Sequence, residues 1–237
     1  KTCCSLARDH GCFPAAITFD RHPKSLFTDT PTVLISTIPD RELLLSRYGM
    51  EKIRVLPVTP ETMRKPWQEF LEELVQEDAA GFVCGDDFHF GHRGEGNAKK
   101  LRTFCQQRSL PFAMVPEQTV DSIRISSTYI RRQIETGDMA TAAKFTGHPY
   151  TLTGTVVPGK QLGRRLGIPT ANLLLPVGLA IPKFGVYACR ILLDGVWYPA
   201  VTNIGTRPTV SGEGITVEAW ILGYTGDLYG RTITLEF

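Results

Sequence analysis

The apolar pattern of this chain changes once, between Gly147 and Thr151, and that change limits the possible folds more than any other feature. Before it, short apolar runs alternate with longer stretches of helical period. Ala15 to Phe19, Ile53 to Val58, Phe82 to Gly85 and Phe112 to Val115 read as strands. Arg41 to Tyr48, Pro66 to Gln76 and Lys99 to Arg108 read as helices, with Leu71, Leu74 and Val75 on one face of the second. Parallel neighbours need a crossover and a helix supplies it, so this alternation specifies an α/β layer with a parallel sheet. After the change, strands are separated by turn residues. Val186 to Leu193 and Val196 to Thr202 flank Asp194-Gly195, a two-residue hairpin signal. Leu152 to Val157, Thr216 to Leu222 and Thr232 to Phe237 complete a set that predicts a small antiparallel barrel or sandwich. The expected domains are residues 1–147 and 148–237.

Composition removes several function classes. With 42% hydrophobic and 21% charged residues the chain can bury a core, and it holds no apolar run near the roughly 18 residues of a membrane span. A net charge of +2 gives no footing for wrapping nucleic acid. Six scattered cysteines without a C-x-x-C pair favour a reduced, cytoplasmic setting and argue against zinc. Oligomeric state is open, a homo-oligomer included. The chain begins at Lys1 within what reads as a helix, Thr2 to His10 closed by Gly11, so a strand and turn before Lys1 are expected to be missing.

Four constellations carry chemistry. Gly85-Asp86-Asp87-Phe88-His89-Phe90-Gly91 ends a predicted strand, where ligands of α/β sheets gather. Its glycines permit close backbone approach and its carboxylates could orient a metal or a ribose hydroxyl, but an ordinary turn explains it equally well. His89 and His92 lack a third metal ligand. Ser126, Ser127 and Thr128 precede a helix start with Arg131 one turn in; this is an ordinary N-cap, a phosphate site, or both. Gly159-Lys160 and Gly163-Arg164-Arg165 can wrap an anion with backbone N–H groups and cations, or form a glycine-rich hairpin that holds no ligand. Beyond them, Thr170 and Asn172 share one side of an extended segment and offer the hard oxygens that Mg²⁺ takes together with phosphates. Glu218 shares a strand face with Thr216, Trp220 and Leu222. On an interior face its carboxylate would be desolvated and suited to a general base; on an exposed face it is merely solvated. Asn203 to Thr209 reads as a mobile flap or an ordinary loop.

Together these motifs resemble the bacterial bifunctional riboflavin kinase/FMN adenylyltransferases over nearly the whole chain. Thr18 to Pro23, Gly85 to Gly91 and Ser126 to Arg131 match the adenylyltransferase half. Gly163 to Asn172, Gly185 to Ala188, Asn203 to Thr209, Glu218 and Asp227 to Gly230 match the kinase half. The resemblance implies a Rossmann-like nucleotidyltransferase domain followed by an antiparallel riboflavin-kinase barrel, with riboflavin, FMN and ATP as substrates and Mg²⁺ as cofactor. It implies that Glu218 accepts the proton of the ribityl 5′-hydroxyl and that Thr170 and Asn172 position Mg²⁺ and phosphates. Gly159, Lys160, Gly163 and Arg164 would cover the nucleotide, and Asn203 and Arg207 would lie on the flavin side. Glu218 and the Thr170–Asn172 pair are expected to converge inside the barrel. In the first half, Ser126, Ser127, Thr128 and Arg131 would hold ATP phosphates, while Gly85, Asp87 and Phe88 would serve ATP and FMN.

Some features depart from the family. Its G-x-F-D-x-x-H-x-G-H motif does not occur, so adenylyl transfer by these residues is expected to be crippled, leaving a flavokinase with a degenerate first half as the alternative reading. The C-terminal helix that the family packs near the flavin is expected to be missing after Phe237. Arg21 stands where the family has Pro, and Trp220 where it has His.

Overall fold

The computed structural model describes residues 1–28, 32–159, 169–209 and 212–237. It divides into two compact units, Lys1–Thr32 with Arg41–Arg124, and Val33–Asp40 with Ile125–Phe237. The elements up to Arg124 are α1 (Thr2–Asp9), β1 (Ala15–Phe19), α2 (Ile38–Arg47), β2 (Lys52–Leu56), α3 (Pro60–Arg64), α4 (Trp67–Gln76), β3 (Phe82–Gly85), β4 (His89–Phe90), β5 (Gly96–Asn97), α5 (Ala98–Gln107), β6 (Phe112–Val115), β7 (Thr119–Val120) and β8 (Ile123–Arg124).

The parallel strands expected in the first unit form, but as two separate pairs. β1 runs parallel to β2 with Ala15 opposite Lys52, and β3 runs parallel to β6 with Phe82 opposite Phe112. A cavity of about 2130 Å³ is lined by residues of β1, β2 and β3, Ile17, Ile53 and Val83 among them. Leu71 and Leu74 put the apolar face of α4 into the core, and Leu101, Phe104 and Cys105 do the same for α5. Burial pushes the Cys105 thiol up to about 11, with the neighbouring Cys84 adding to the rise. The start of α5 is set by Asn97, whose side chain accepts from the Lys100 N–H at 2.9 Å.

In the second unit, α6 (Ser127–Thr136) and α7 (Met139–Thr146) each end on a glycine in the left-handed region, Gly137 at φ 83° and Gly147 at φ 77°. Six strands follow: β9 (Thr151–Val157), β10 (Thr170–Leu174), β11 (Gly185–Leu193), β12 (Val196–Thr209), β13 (Gly212–Ile221) and β14 (Thr232–Glu236). They close into an antiparallel barrel in the order β10-β13-β12-β11-β14-β9. The hairpin between β11 and β12 turns at Asp194 and Gly195, both at positive φ, as a two-residue turn of this kind requires.

Alternate residues fill the barrel. Ile191, Ile204, Val217, Ala219, Ile233 and Leu235 are essentially inaccessible, and their strand neighbours face outward. One expectation is corrected here. Asn203 to Thr209 is not an ordinary loop, because β12 continues through it, pairing Arg207 with Gly214 and Thr209 with Gly212 on β13.

Val33–Asp40 belongs to this unit although it precedes the barrel by more than a hundred residues. Leu34 bridges to Leu179. Asp40, fully buried, accepts from the Thr37 hydroxyl at 2.6 Å and from the Thr153 hydroxyl of β9. Thr153 in turn meets the Thr234 hydroxyl of β14 at 2.9 Å.

Candidate active site

Strand register builds the site. On β13, Glu218 is paired with Asn172 of β10 on one side and with Asn203 of β12 on the other. Directly opposed residues of antiparallel strands point to the same face with Cβ atoms about 5 Å apart. Asn172, Glu218 and Asn203 therefore form one row across three strands, and Val186 of β11 extends it beyond Asn203. A second row lies one pleat away: Thr170, Trp220, Val201 and Ala188.

These rows lie on the outer wall of the barrel, which corrects the expected interior placement. The residues between and beside them, Ala171, Ala219 and Thr202, and Val217 and Ile204, point inward and are buried, so the period of two forces Thr170, Asn172, Glu218 and Trp220 outward. These four outward side chains are half-buried and Asn203 is exposed. The convergence itself stands: the carboxylate and the Thr170–Asn172 pair share one surface.

Gly159 adds a close approach. A Cβ there would come within 2.8 Å of Asn172 Oδ1 and 2.6 Å of its Cγ, so the Asn172 amide rests against bare backbone. Lys160, Gly163 and Arg164 lie outside the described residues, and Arg207 is placed by its pairing with Gly214.

The sequence-predicted residues of the other activity fall in different units. Gly85, Asp87 and Phe88 sit at the carboxyl end of β3 in the first unit, where the Phe88 N–H donates to the Gly85 carbonyl at 3.3 Å and closes a turn. Asp86 accepts from the Glu117 N–H at 3.1 Å, and Asp87 pairs with Arg124 at 2.6 Å. Arg124 carried no sequence signal, since its partner is 37 residues away. Phe88, partly exposed, stacks on Phe90 with ring centroids 5.2 Å apart. Among the described residues no group of three or more His, Cys, Asp and Glu side chains is arranged to hold a metal.

The glycine at the far end of this segment serves packing. Gly91 has φ 73°, and a Cβ on it would lie 2.6 Å from Trp67 Cβ and 2.7 Å from Trp67 Cα. Gly91→Ala is expected to lower stability by about 2–4 kcal/mol, combining left-handed strain with overpacking against backbone. Urea unfolding checks this; a loss below about 0.5 kcal/mol would show that the Trp67 contact yields easily.

Ser126, Ser127, Thr128 and Arg131 belong to the second unit. Ser126 is the N-cap of α6, its hydroxyl accepting from the Tyr129 N–H at 3.2 Å. Arg131 Nε donates to the Val33 carbonyl at 2.8 Å, holding the early segment to this helix.

Comparison with known proteins divides the chain along similar lines. Residues 1–129 match the family described as FAD synthetase, and residues 146–237 match the family described as riboflavin kinase. An α/β domain followed by a closed barrel, each matching a phosphorus-group transferase, defines a two-domain transferase of flavin-cofactor synthesis. The bifunctional riboflavin kinase/FMN adenylyltransferase of Listeria monocytogenes is 30% identical over 236 residues, covering 98% of this chain and 75% of that protein. The Escherichia coli K12 enzyme of the same name is 33% identical over 219 residues, covering 91% and 70%. The chain belongs to the bifunctional riboflavin kinase/FMN adenylyltransferase family. A solved structure titled a macrolide-efflux protein from Streptococcus pneumoniae aligns with TM-score 0.83 and 29% identity over 98% of this chain and 76% of that one. Among the described residues, no helix is long and apolar enough to cross a membrane.

Proposed function

We propose that the barrel phosphorylates riboflavin with ATP to give FMN, and that the chain's other activity adenylylates FMN with ATP to give FAD and pyrophosphate. The observation that carries the kinase reading is the row Asn172, Glu218 and Asn203 across three hydrogen-bonded strands. Glu218 accepts the proton of the ribityl 5′-hydroxyl as its oxygen attacks the γ-phosphorus of ATP, and ADP leaves. Thr170 and Asn172 offer neutral oxygens that fit Mg²⁺, and a cation held by so few protein donors is completed by phosphate oxygens. Mg²⁺ there would neutralise the charge of the transferring phosphoryl group. Gly159 leaves the Asn172 amide its position, and Lys160, Gly163 and Arg164 are proposed to cover the nucleotide, with Asn203 and Arg207 on the flavin side. Because the strands that carry these groups are fixed in a closed sheet, catalysis rests chiefly on positioning.

For adenylyl transfer, the FMN phosphate attacks the α-phosphorus of ATP. Ser126, Ser127, Thr128 and Arg131 are proposed to take ATP phosphates at a helix N-terminus. Gly85, Asp87 and Phe88 are proposed to meet nucleotide or flavin. Six free cysteines and the use of ATP support a cytoplasmic location.

The test is incubation of the protein with riboflavin, ATP and Mg²⁺, followed by chromatographic separation of the flavins. FMN is the expected product, and its absence would sink the kinase reading. FMN supplied with ATP tests the second activity: FAD supports it, whereas FMN formation without FAD confines the reading to the kinase.

A further inference from the structure

We propose that Gly205, with Asn203 and Thr216 at its sides, is the floor of the groove that takes the ribityl chain of riboflavin, and that it is glycine because the substrate occupies the space a side chain would fill. The proposal rests on the kinase reading and deepens it.

Gly205 lies inside β12, opposite Thr216, in a register that runs unbroken from Ala200 opposite Ile221 to Thr209 opposite Gly212. Glycine weakens a strand, and where it occurs it marks a bulge, a bend or the close approach of another group. The unbroken register leaves no bulge. Gly205 is also absent from the glycines that hold a positive φ. Nor is its outer side crowded by the protein: a Cβ there would meet only Asn203 Nδ2 and Thr216 Oγ1, each at 3.9 Å, which is ordinary contact. Gly154 of β9 shows the contrast, since its Cβ would lie 2.8 Å from the Leu174 carbonyl oxygen. Gly154 answers to packing. Gly205 does not, and the remaining reason is an approach from outside the chain.

Position identifies what approaches. Gly205 follows Asn203 by two residues and Thr216 precedes Glu218 by two, so the Gly205–Thr216 pair lies about 7 Å along the outer wall from the Asn203–Glu218 pair. Thr170 lies on the other side of Glu218, opposite Trp220. With phosphates and cation held at Thr170 and Asn172, the acceptor hydroxyl arrives from the far side of Glu218, because attacking and leaving oxygens stand roughly in line across the transferring phosphorus. That far side is the Gly205–Thr216 pair, and Arg207, opposite Gly214, lies further along it. A ribityl chain whose 5′-hydroxyl sits at Glu218 therefore runs over Gly205, with the ring beyond. The amide nitrogen of Asn203 and the hydroxyl of Thr216 border the bare spot, and both can hydrogen-bond the secondary hydroxyls of the chain.

The test uses the full chain with Gly205→Val, Gly205→Ala and Thr216→Val, measuring the thermal midpoint and KM for riboflavin and for ATP. Valine is a far better strand former than glycine and the space is open, so Gly205→Val should keep or raise the midpoint. Its KM for riboflavin should nevertheless rise about tenfold or more, the scale of forcing a side chain into filled space. Gly205→Ala should show a smaller rise in the same direction. Thr216→Val, which keeps shape and removes the hydroxyl, should raise KM for riboflavin about threefold or more, as loss of one hydrogen bond does. KM for ATP should move about twofold or less in all three, since none touches the phosphate side.

Absence of FMN from the unmodified protein would fall on the kinase reading itself. FMN formation with riboflavin KM within about twofold of the parent in both Gly205 variants would overturn the Gly205 assignment alone. A lowered midpoint in Gly205→Ala without a rise in riboflavin KM would also overturn it, by making the glycine a bend in the strand. So would a KM rise confined to ATP, which would put the nucleotide in this groove. Should Gly205→Val fail to fold, Gly205→Ala and Thr216→Val decide between the same outcomes.

Discussion

Replacing Glu218 by Gln is expected to lower the rate of FMN formation by about 10²–10⁴-fold, the usual contribution of a positioned proton acceptor. Gln keeps the size and one acceptor oxygen of the side chain, so the pairing of β13 with β10 and β12 has no reason to change. Riboflavin and ATP affinities should stay within about threefold, because the carboxylate acts on a proton that moves only during phosphoryl transfer. Single-turnover formation of FMN, with riboflavin binding measured separately, distinguishes the outcomes. A Gln variant within tenfold of the parent would move the proton acceptor elsewhere. A variant that loses binding and rate together would make Glu218 a substrate-holding group.

The second large effect concerns Asp40. It is fully buried in the second unit, and it receives hydrogen bonds from the Thr37 and Thr153 hydroxyls, while its own N–H donates to the Thr37 hydroxyl at 3.0 Å. Thr37 and Asp40 thus hold each other at the start of α2, and Thr153 ties them to the barrel wall. Asp40→Ala should reduce stability by about 2–4 kcal/mol, because it takes a charged acceptor from two buried hydroxyls and opens a small void. Nearby Tyr150 should respond as well. Its hydroxyl is buried and donates to the Ala180 carbonyl at 2.5 Å; burial first, then the charge of Asp40, holds it neutral well above the ordinary tyrosine range. Removing Asp40 would relieve the second of these causes. Urea unfolding followed by near-ultraviolet circular dichroism measures the loss, and a change under about 0.5 kcal/mol would show that this carboxylate does not anchor the segment.

The strands Ala15–Phe19, Phe82–Gly85 and Phe112–Val115 were legible because each is a short apolar run bounded by turn residues, and the structure keeps those bounds. The Asp194-Gly195 turn was legible for the same local reason. The meeting of Thr170, Asn172 and Glu218 on one surface was legible through resemblance and periodicity together. What periodicity cannot supply is which of a strand's two faces meets the core. Thr216, Glu218, Trp220 and Leu222 alternate perfectly with Val217, Ala219 and Ile221, and only closure of the sheet around the second set decides the question. Gly205 and Pro208 read as loop residues because both are poor strand formers, yet they lie within β12, paired along β13. The membership of Val33–Asp40 in the barrel unit depends on contacts across more than a hundred residues, and no local pattern announces those. Nor does sequence reveal that Gly91 is glycine because Trp67 presses against it.

A closed sheet whose proposed site lies on its outer wall separates two kinds of evolutionary pressure. Inward positions answer to volume and packing, and outward positions on β10, β13 and β12, in the proposed reading, to substrate, with the pleat as a partition between them. Such a scaffold can exchange an outward side chain such as Trp220 and leave its hydrocarbon filling untouched. Ligand preference in this architecture can therefore drift without a toll on folding.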